Sequence, residues 1–193
     1  TDRKAAEQAL EESEERLRSI IETTRDSVIL IDEEGKVIEW NAGAERITGF
    51  TNKEAVGQYL WDLTYQVLPE EKRDEKHRTA LEQKIRESLK TGIPVYDKPR
   101  VVETMHRDGR RIYIRKAIFT IRTSRGFRFG SISQDITDEK RAEDALRESE
   151  TRFRVITENM EDMLRQLDKN GILLYISPSI VRITGYNAEE LLG

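Results

Sequence analysis

The sequence predicts an α+β domain in which an antiparallel sheet carries helices on one face, with a long amphipathic helix at each end. The predicted elements follow the order helix, two strands, three helices, three strands and helix, which is typical of antiparallel α+β folds. The first 57 residues also align without a gap to residues 137–193, with 23 identical pairs at an offset of 136. That period is too long for solenoid repeats and indicates tandem domains.

A heptad pattern predicts a helix over residues 1–24, and the same pattern returns from residue 137. The stripe residues step by 4, 3, 4, 3 and 4 in both places: Ala6, Leu10, Ser13, Leu17, Ile20 and Thr24, then Ala142, Leu146, Ser149, Phe153, Ile156 and Met160. This narrow stripe favours pairing with a second helix. A single amphipathic helix lying on its own domain explains it equally well, because two or three heptads are marginal for a coiled coil.

The first two strands form a predicted hairpin. Residues 27–32 make up the first strand, and its Val28-Ile29-Leu30-Ile31 centre indicates that both faces are covered. A turn at residues 33–35 leads into the returning strand at residues 36–40.

Helices occupy the middle of the domain. Asn41 is a favourable N-cap for a short helix that ends near Gly49. A second short helix is predicted at residues 53–56, and a long one at residues 69–92. Four residues spaced by four give the long helix its predicted inward face: His77, Leu81, Ile85 and Leu89.

Three further strands complete the predicted sheet, at residues 95–106, 110–122 and 127–136. The segment Arg107-Asp108-Gly109-Arg110 predicts the hairpin turn between the first two of them. The next helix begins at Thr137.

Composition excludes several classes of protein. The chain has no cysteine, which excludes disulfides, thiolate metal sites and a cysteine nucleophile. With 33 Lys and Arg against 37 Asp and Glu, well mixed, no nucleic-acid partner is expected. The longest aliphatic run, Val28–Ile31, is far below the roughly 18 residues of a membrane span. The sequence also shows no secretory leader. We therefore expect a cytoplasmic chain with no direct membrane insertion, whether or not the parent protein is anchored to a membrane.

No catalytic residue is predicted. The chain has no glycine-rich phosphate loop, nucleotide-binding motif or phosphoacceptor-histidine segment, so we expect it not to be an enzyme. Its two histidines, His77 and His106, are far apart in sequence, and His106 is expected to be exposed beside a hairpin turn. We therefore predict no metal site.

Two ordered sets of residues carry a resemblance to a known family. The first set is Val28–Asp32, Gly35, Ile38, Asn41, Ala44, Gly49-Phe50, Glu54 and Gly57. The second set is Arg107-Asp108-Gly109 and Asp135-Ile136-Thr137. Together they closely resemble the PAS family of sensory domains over about residues 11–140. The resemblance implies a five-stranded antiparallel sheet of order 2-1-5-4-3 around a small helical pocket, in a multidomain signalling protein such as the sensor histidine kinase of a two-component system.

The resemblance and the repeat together predict four segments. These are an N-terminal linker helix (1–22), a complete PAS domain (23–137), an interdomain linker helix (138–158) and a truncated second PAS domain (159–193). The expected partners are a second copy of the chain, paired through the linker helices, and the adjacent PAS and output domains of the parent protein.

The function implied is a non-catalytic sensory relay. A conformational change in the sheet would pass from Asp135, Ile136 and Thr137 into the following helix, where Leu146 and Phe153 contact the partner.

The alternative is a sensor that binds a cofactor or a small molecule. His77 falls roughly where haem-binding PAS domains place their axial ligand, and a neutral imidazole is a competent iron ligand. Many ligand-free PAS domains carry polar residues at that position, so no cofactor is expected and haem is the alternative. Flavin photochemistry of the light-oxygen-voltage type needs a reactive cysteine, and this chain has none. Ser133 also stands where those domains carry a glutamine. We therefore do not expect this photochemistry.

Overall fold

A five-stranded antiparallel sheet forms the centre of residues 1–138, the first of two units into which the chain divides; the second is residues 139–193. The computed structural model describes residues 2–187, 190 and 191. The elements of the first unit are α1 (Asp2–Thr23), β1 (Ser27–Ile31), β2 (Val37–Trp40), α2 (Ala42–Thr48), α3 (Asn52–Ala55), α4 (Leu60–Gln66), a 3₁₀ turn (Glu70–Lys72), α5 (Glu75–Thr91), β3 (Arg100–Met105), β4 (Arg111–Thr123) and β5 (Gly126–Asp135).

The strand order is β2-β1-β5-β4-β3, which confirms the order implied by the family resemblance. The long central pair, β4 and β5, runs in register from Ile114 opposite Asp135 to Thr123 opposite Gly126. One face of the sheet and the helices bury an apolar core, whose largest members include Ile29, Ile31, Trp40, Phe50, Trp61, Leu63, Ile85 and Phe129. The α+β class with helices on one face is therefore also confirmed.

The capping predictions around α2 are confirmed. The Asn41 side-chain oxygen accepts a hydrogen bond from the Ala44 N–H at 3.0 Å, which satisfies a free donor of the first helical turn. Gly49 ends the helix in the left-handed conformation, at φ 81°.

The long helix begins later than predicted, at Glu75 instead of residue 69. Asp74 is its N-cap and accepts a hydrogen bond from the His77 N–H at 2.8 Å, while Arg73 has a non-helical backbone at ψ 67°. Residues next to the predicted start instead form the separate turn Glu70–Lys72.

Two other boundaries differ from prediction. Strand β3 begins at Arg100 instead of residue 95, because Pro94 and Pro99 bracket the preceding segment and neither can donate a ladder hydrogen bond. Helix α4 was not predicted, since its N-cap, Tyr59, makes no capping bond that would mark its start. Burial of one apolar face stabilises it instead.

The second unit repeats the hairpin of the first. It contains most of α6 (Thr137–Asn159), then β6 (Arg165–Leu167), β7 (Leu173–Ile176) and α7 (Ile180–Thr184). The Asp168 carboxylate accepts from two backbone N–H groups of its turn, as Asp32 does in the first hairpin. Both hairpins also shift register at the equivalent step, Leu30/Ile31 and Gln166/Leu167. The shared residues therefore build the same local structure twice.

Part of the predicted domain organisation falls on residues that the structure does not describe. The predicted first linker and second domain include Thr1 and residues 188, 189, 192 and 193, which lie outside the described residues. The described helices include no candidate for a membrane span, since each is too short or too polar.

Candidate functional site

A small cavity of about 70 Å³ lies between the inner face of the sheet and helices α2 and α4. Most of its lining is apolar: Ile29, Trp40, Ile47, Leu60, Leu63, Val67, Leu68, Val102 and Ile114. This volume has room for a few water molecules and is well below the roughly 300–1,000 Å³ of drug-sized ligand sites.

A row of polar side chains crosses the sheet at this cavity. Ser27 of β1 lies opposite Ser133 of β5, and Ser133 lies opposite Lys116 of β4. Directly opposed residues of antiparallel strands share a face of the sheet, and all three line the cavity. Ser27 and Ser133 are only 2% and 3% exposed, and within the described chain neither hydroxyl makes a hydrogen bond.

Lys116 brings a positive charge into this apolar surrounding. The residue is partly buried, and the resulting desolvation lowers the pKa of Lys116 to about 8. Across residues 2–187 the amine has no hydrogen bond and no ion pair. A desolvated ammonium without a partner is costly, so this position is unusual for a purely structural residue.

Glu103 also lines the cavity, but in the sheet it lies opposite Tyr113, so its side chain is on the other face from Ile114 and Lys116. Its Oε1 lies 2.8 Å from the Arg111 guanidinium, although the two do not form a well-aligned hydrogen bond. The negative charge of Glu103 is therefore offset by Arg111, whereas the charge of Lys116 is not offset.

The polar row was not predicted from the sequence, although a signal for it was present. Strand β4 alternates with period two, and the inward positions before and after Lys116 are Ile114 and Ile118. A lysine in phase with inward aliphatic residues predicts a buried amine.

The predicted relay residues form the junction between β5 and α6. The Asp135 carboxylate accepts from both the backbone N–H and the hydroxyl of Thr137, at 2.9 and 2.5 Å. The same hydroxyl accepts from the Tyr113 N–H at 3.0 Å, and the Ile136 N–H donates to the Tyr113 carbonyl at 2.8 Å. Ile136 and Thr137 are buried. The start of α6 is thus fixed to strand β4 at Tyr113.

This junction adjoins the cavity. Ile114, which follows Tyr113 on β4, lines the cavity and lies opposite Asp135 in the sheet. Ser133, two residues before Asp135 on β5, also lines it. The cavity lining and the residues that hold the start of α6 are therefore neighbours on β4 and β5.

The other two predicted relay residues, Leu146 and Phe153, lie on α6 and are 61% and 50% exposed. Leu146 presents its side chain to solvent, as do Leu10 and Leu17 at equivalent positions of α1. Phe153 packs partly within its own unit, because its ring lies 5.6 Å from that of Tyr175.

The prediction that His77 faces inward is wrong. Its side chain is 48% exposed and its Nδ1 lies 2.9 Å from the Asp74 carboxylate, in the first turn of α5. Hydrogen bonds from the backbone and the ring of His77 lower the pKa of Asp74. The cause is the late start of α5, which makes His77 part of the capping structure.

The cavity does not fit haem. Its lining contains no histidine, cysteine, methionine or tyrosine to serve as an axial ligand. Nor do the described residues contain a group of three side chains that could hold a metal ion. His106, expected to be exposed, is instead largely buried against Gly49, with its Nδ1 2.8 Å from the Asp108 carboxylate.

Comparisons with known proteins agree with this architecture. The sequence model of a family described as PAS fold matches residues 15–122 and 151–193. The uncharacterized protein y4lL of Sinorhizobium fredii is 30% identical over 195 residues, which cover 100% of this chain and 22% of that protein. The chain thus spans about a fifth of the length of this relative.

Solved structures share the fold at low sequence identity. An RNA-binding light-oxygen-voltage receptor superposes with a TM-score of 0.50 at 18% identity, over 70% of this chain and 36% of that one. The PAS domain of an HTR-like protein from Haloarcula marismortui gives 0.46 at 24% identity, over 69% and 99% of the two chains. These similarities concern the fold alone.

Proposed function

Since this chain belongs to the family of PAS fold proteins, we propose that it is a non-catalytic sensory and relay module of a multidomain signalling protein. Its output is a downstream domain such as a histidine kinase of a two-component system. The observation that carries the proposal is the continuity between the cavity, the ends of β4 and β5, and the first residue of α6.

The relay begins at the hydrogen bonds that link Tyr113, Asp135 and Thr137. A change in cavity occupancy moves Ile114 and Ser133, and the adjoining strand ends carry the first turn of α6 with them. Because the bonds to Thr137 are short and partly buried, this movement is transmitted to the helix instead of being absorbed by a loose connection.

The linker helices provide the partner surface. Exposed leucines in the heptad stripes of α1 and α6 favour a parallel pairing with a second copy of the chain. Ser13 and Ser149 in the stripes weaken a single register, so that alternative packings lie close in energy. We therefore propose a homodimer whose helix pairing differs between signalling states.

The proposed parent protein carries PAS domains in tandem. The recurrence of the hairpin and α7 supports residues 159–193 as the start of a second domain, with α6 as the linker between the two. The mixed charge of the chain supports a module that works without nucleic acid, and we place it in the cytoplasm.

Hydrogen exchange along α6 tests the relay. Replacing Ser133 with valine fills part of the cavity, and we expect peptides from residues 138–150 to change their exchange rate by about threefold or more, since cavity and helix share one cooperative network. Adding Thr137→Val removes the hydroxyl that links Tyr113 to Asp135, and should abolish most of that difference.

Gln134→Val is the matched control, because Gln134 neighbours Ser133 on β5 but is exposed on the opposite face. It should leave exchange in α6 unchanged. If Ser133→Val alters the exchange of β5 but not that of α6, the proposed relay is wrong.

A further inference from the structure

The polar row at the cavity has unused hydrogen-bonding capacity. The Lys116 amine and the hydroxyls of Ser27 and Ser133 converge on one cavity, and within the described residues none of the three has a hydrogen-bond partner. Polar side chains that are largely removed from solvent usually have a hydrogen-bond partner. Three unpaired polar groups in one row at the cavity, one with a positive charge, point to a missing anionic acceptor.

We infer that the cavity binds a short-chain monocarboxylate, with its carboxylate on the Lys116 amine and the Ser27 and Ser133 hydroxyls, and its short apolar chain among the aliphatic residues. The inference deepens the sensory function proposed above by naming the class of ligand. Binding itself does not require that the relay operates.

The shape and lining of the cavity select this class. A carboxylate accepts several hydrogen bonds along one edge and leaves the rest of the molecule apolar. This matches a polar row that Ile29 and Ile114 flank on the sheet and that Leu63 of α4 faces. Inorganic phosphate needs donors on all sides, whereas the wall opposite the row is mostly apolar. A cavity of about 70 Å³ holds roughly five water molecules, which is enough room for acetate or propionate.

Among the described residues, no carboxylate neutralises the Lys116 amine. The side chain of Glu103 lies on the other face of the sheet from Lys116, and no ion pair between the two is present. Glu103 lies against Arg111 instead. An incoming carboxylate would therefore meet an unpaired cation that is already desolvated, which strengthens the charge-assisted hydrogen bond.

Titration of the whole chain with propionate tests the inference. We expect chemical-shift changes at Lys116, Ser27 and Ser133, and a thermal midpoint that rises with propionate concentration. Lys116→Met preserves the length of the side chain without its charge, and should weaken propionate binding by tenfold or more. Without ligand the same variant should be more stable than the wild type, since it removes an unpaired buried charge. Lys53→Met is the control for loss of a lysine at an exposed site.

Propionamide separates charge recognition from cavity filling, because it has nearly the same shape and no charge. The inference is overturned if propionamide binds as tightly as propionate, if inorganic phosphate binds more tightly, or if Lys116→Met binds propionate like the wild type. Failure of binding would leave the hydrogen-exchange test of the relay intact, because that test uses Ser133→Val and no ligand. Conversely, propionate binding without a response in α6 would refute only the relay.

Discussion

Replacing Asn41 with alanine is expected to lower the free energy of unfolding of the first unit by about 3 kcal/mol or more. This residue is only 3% exposed, and its amide makes four hydrogen bonds. The side-chain oxygen accepts from the N–H groups of Val28 and Ala44, and the nitrogen donates to the carbonyls of Ile21 and Asp26. Alanine would leave these four groups without their partner.

Denaturation followed by tryptophan fluorescence measures this loss, because both tryptophans, Trp40 and Trp61, are buried in the first unit. Asn52→Ala is a graded control. The side-chain amide of Asn52 donates one hydrogen bond, to the Trp40 carbonyl at 2.7 Å. We therefore expect its loss to lower the free energy of unfolding by about 1 kcal/mol. Equal losses for the two variants would show that Asn41 does not join α1, β1 and α2 as described.

Introducing a charge at Leu146 is expected to weaken the proposed homodimer by about 100-fold. In the Leu146→Glu variant, each dimer would place two glutamates in the seam between the α6 helices. Each carboxylate would lose its water there without gaining a partner. Leu146 is the cleaner test than Phe153, because Phe153 also contacts Tyr175 within its own chain. Sedimentation equilibrium of Leu146→Glu measures the dissociation constant.

Thr151→Glu is the matched control, since Thr151 lies on the outer side of α6, away from the heptad stripe. It should leave the dissociation constant within about twofold of the wild type. If both glutamate variants dimerise like the wild type, the exposed stripe of α6 is not the partner surface.

Much of the fold could be predicted because its signals are local. The Val28–Ile31 run, the N-cap at Asn41 and the Asp108-Gly109 turn each specify one element through propensity and capping. The strand order, by contrast, followed from the ordered set of family residues and not from any one segment. The junction at Asp135 and Thr137 was likewise identified through that resemblance.

The features that escaped prediction depend on tertiary contacts. Whether His77 faces inward depends on where α5 begins, and the competing cap at Asp74 decides that. Gly43 gave no signal, yet a Cβ there would lie 2.1 Å from the Asp26 carbonyl oxygen, so the close approach of α2 to β1 requires glycine. At the equivalent position of the second unit, Ser179 is accommodated and donates to the Asp162 carbonyl. The convergence of Ser27, Ser133 and Lys116 arises from strand register, which connects residues far apart in sequence.

The distance between the two α6 helices of the proposed homodimer tests the central claim most directly. The chain has no cysteine, so Thr151→Cys provides a single site for a spin label on the outer side of α6. Pulsed electron paramagnetic resonance should give one distribution of the distance between the two spin labels of the dimer. Filling the cavity with Ser133→Val should shift it by about 2 Å or more, and adding Thr137→Val should cancel that shift. An unchanged distribution in the Ser133→Val protein, with the dimer intact, would contradict a relay from the cavity through the β5–α6 junction.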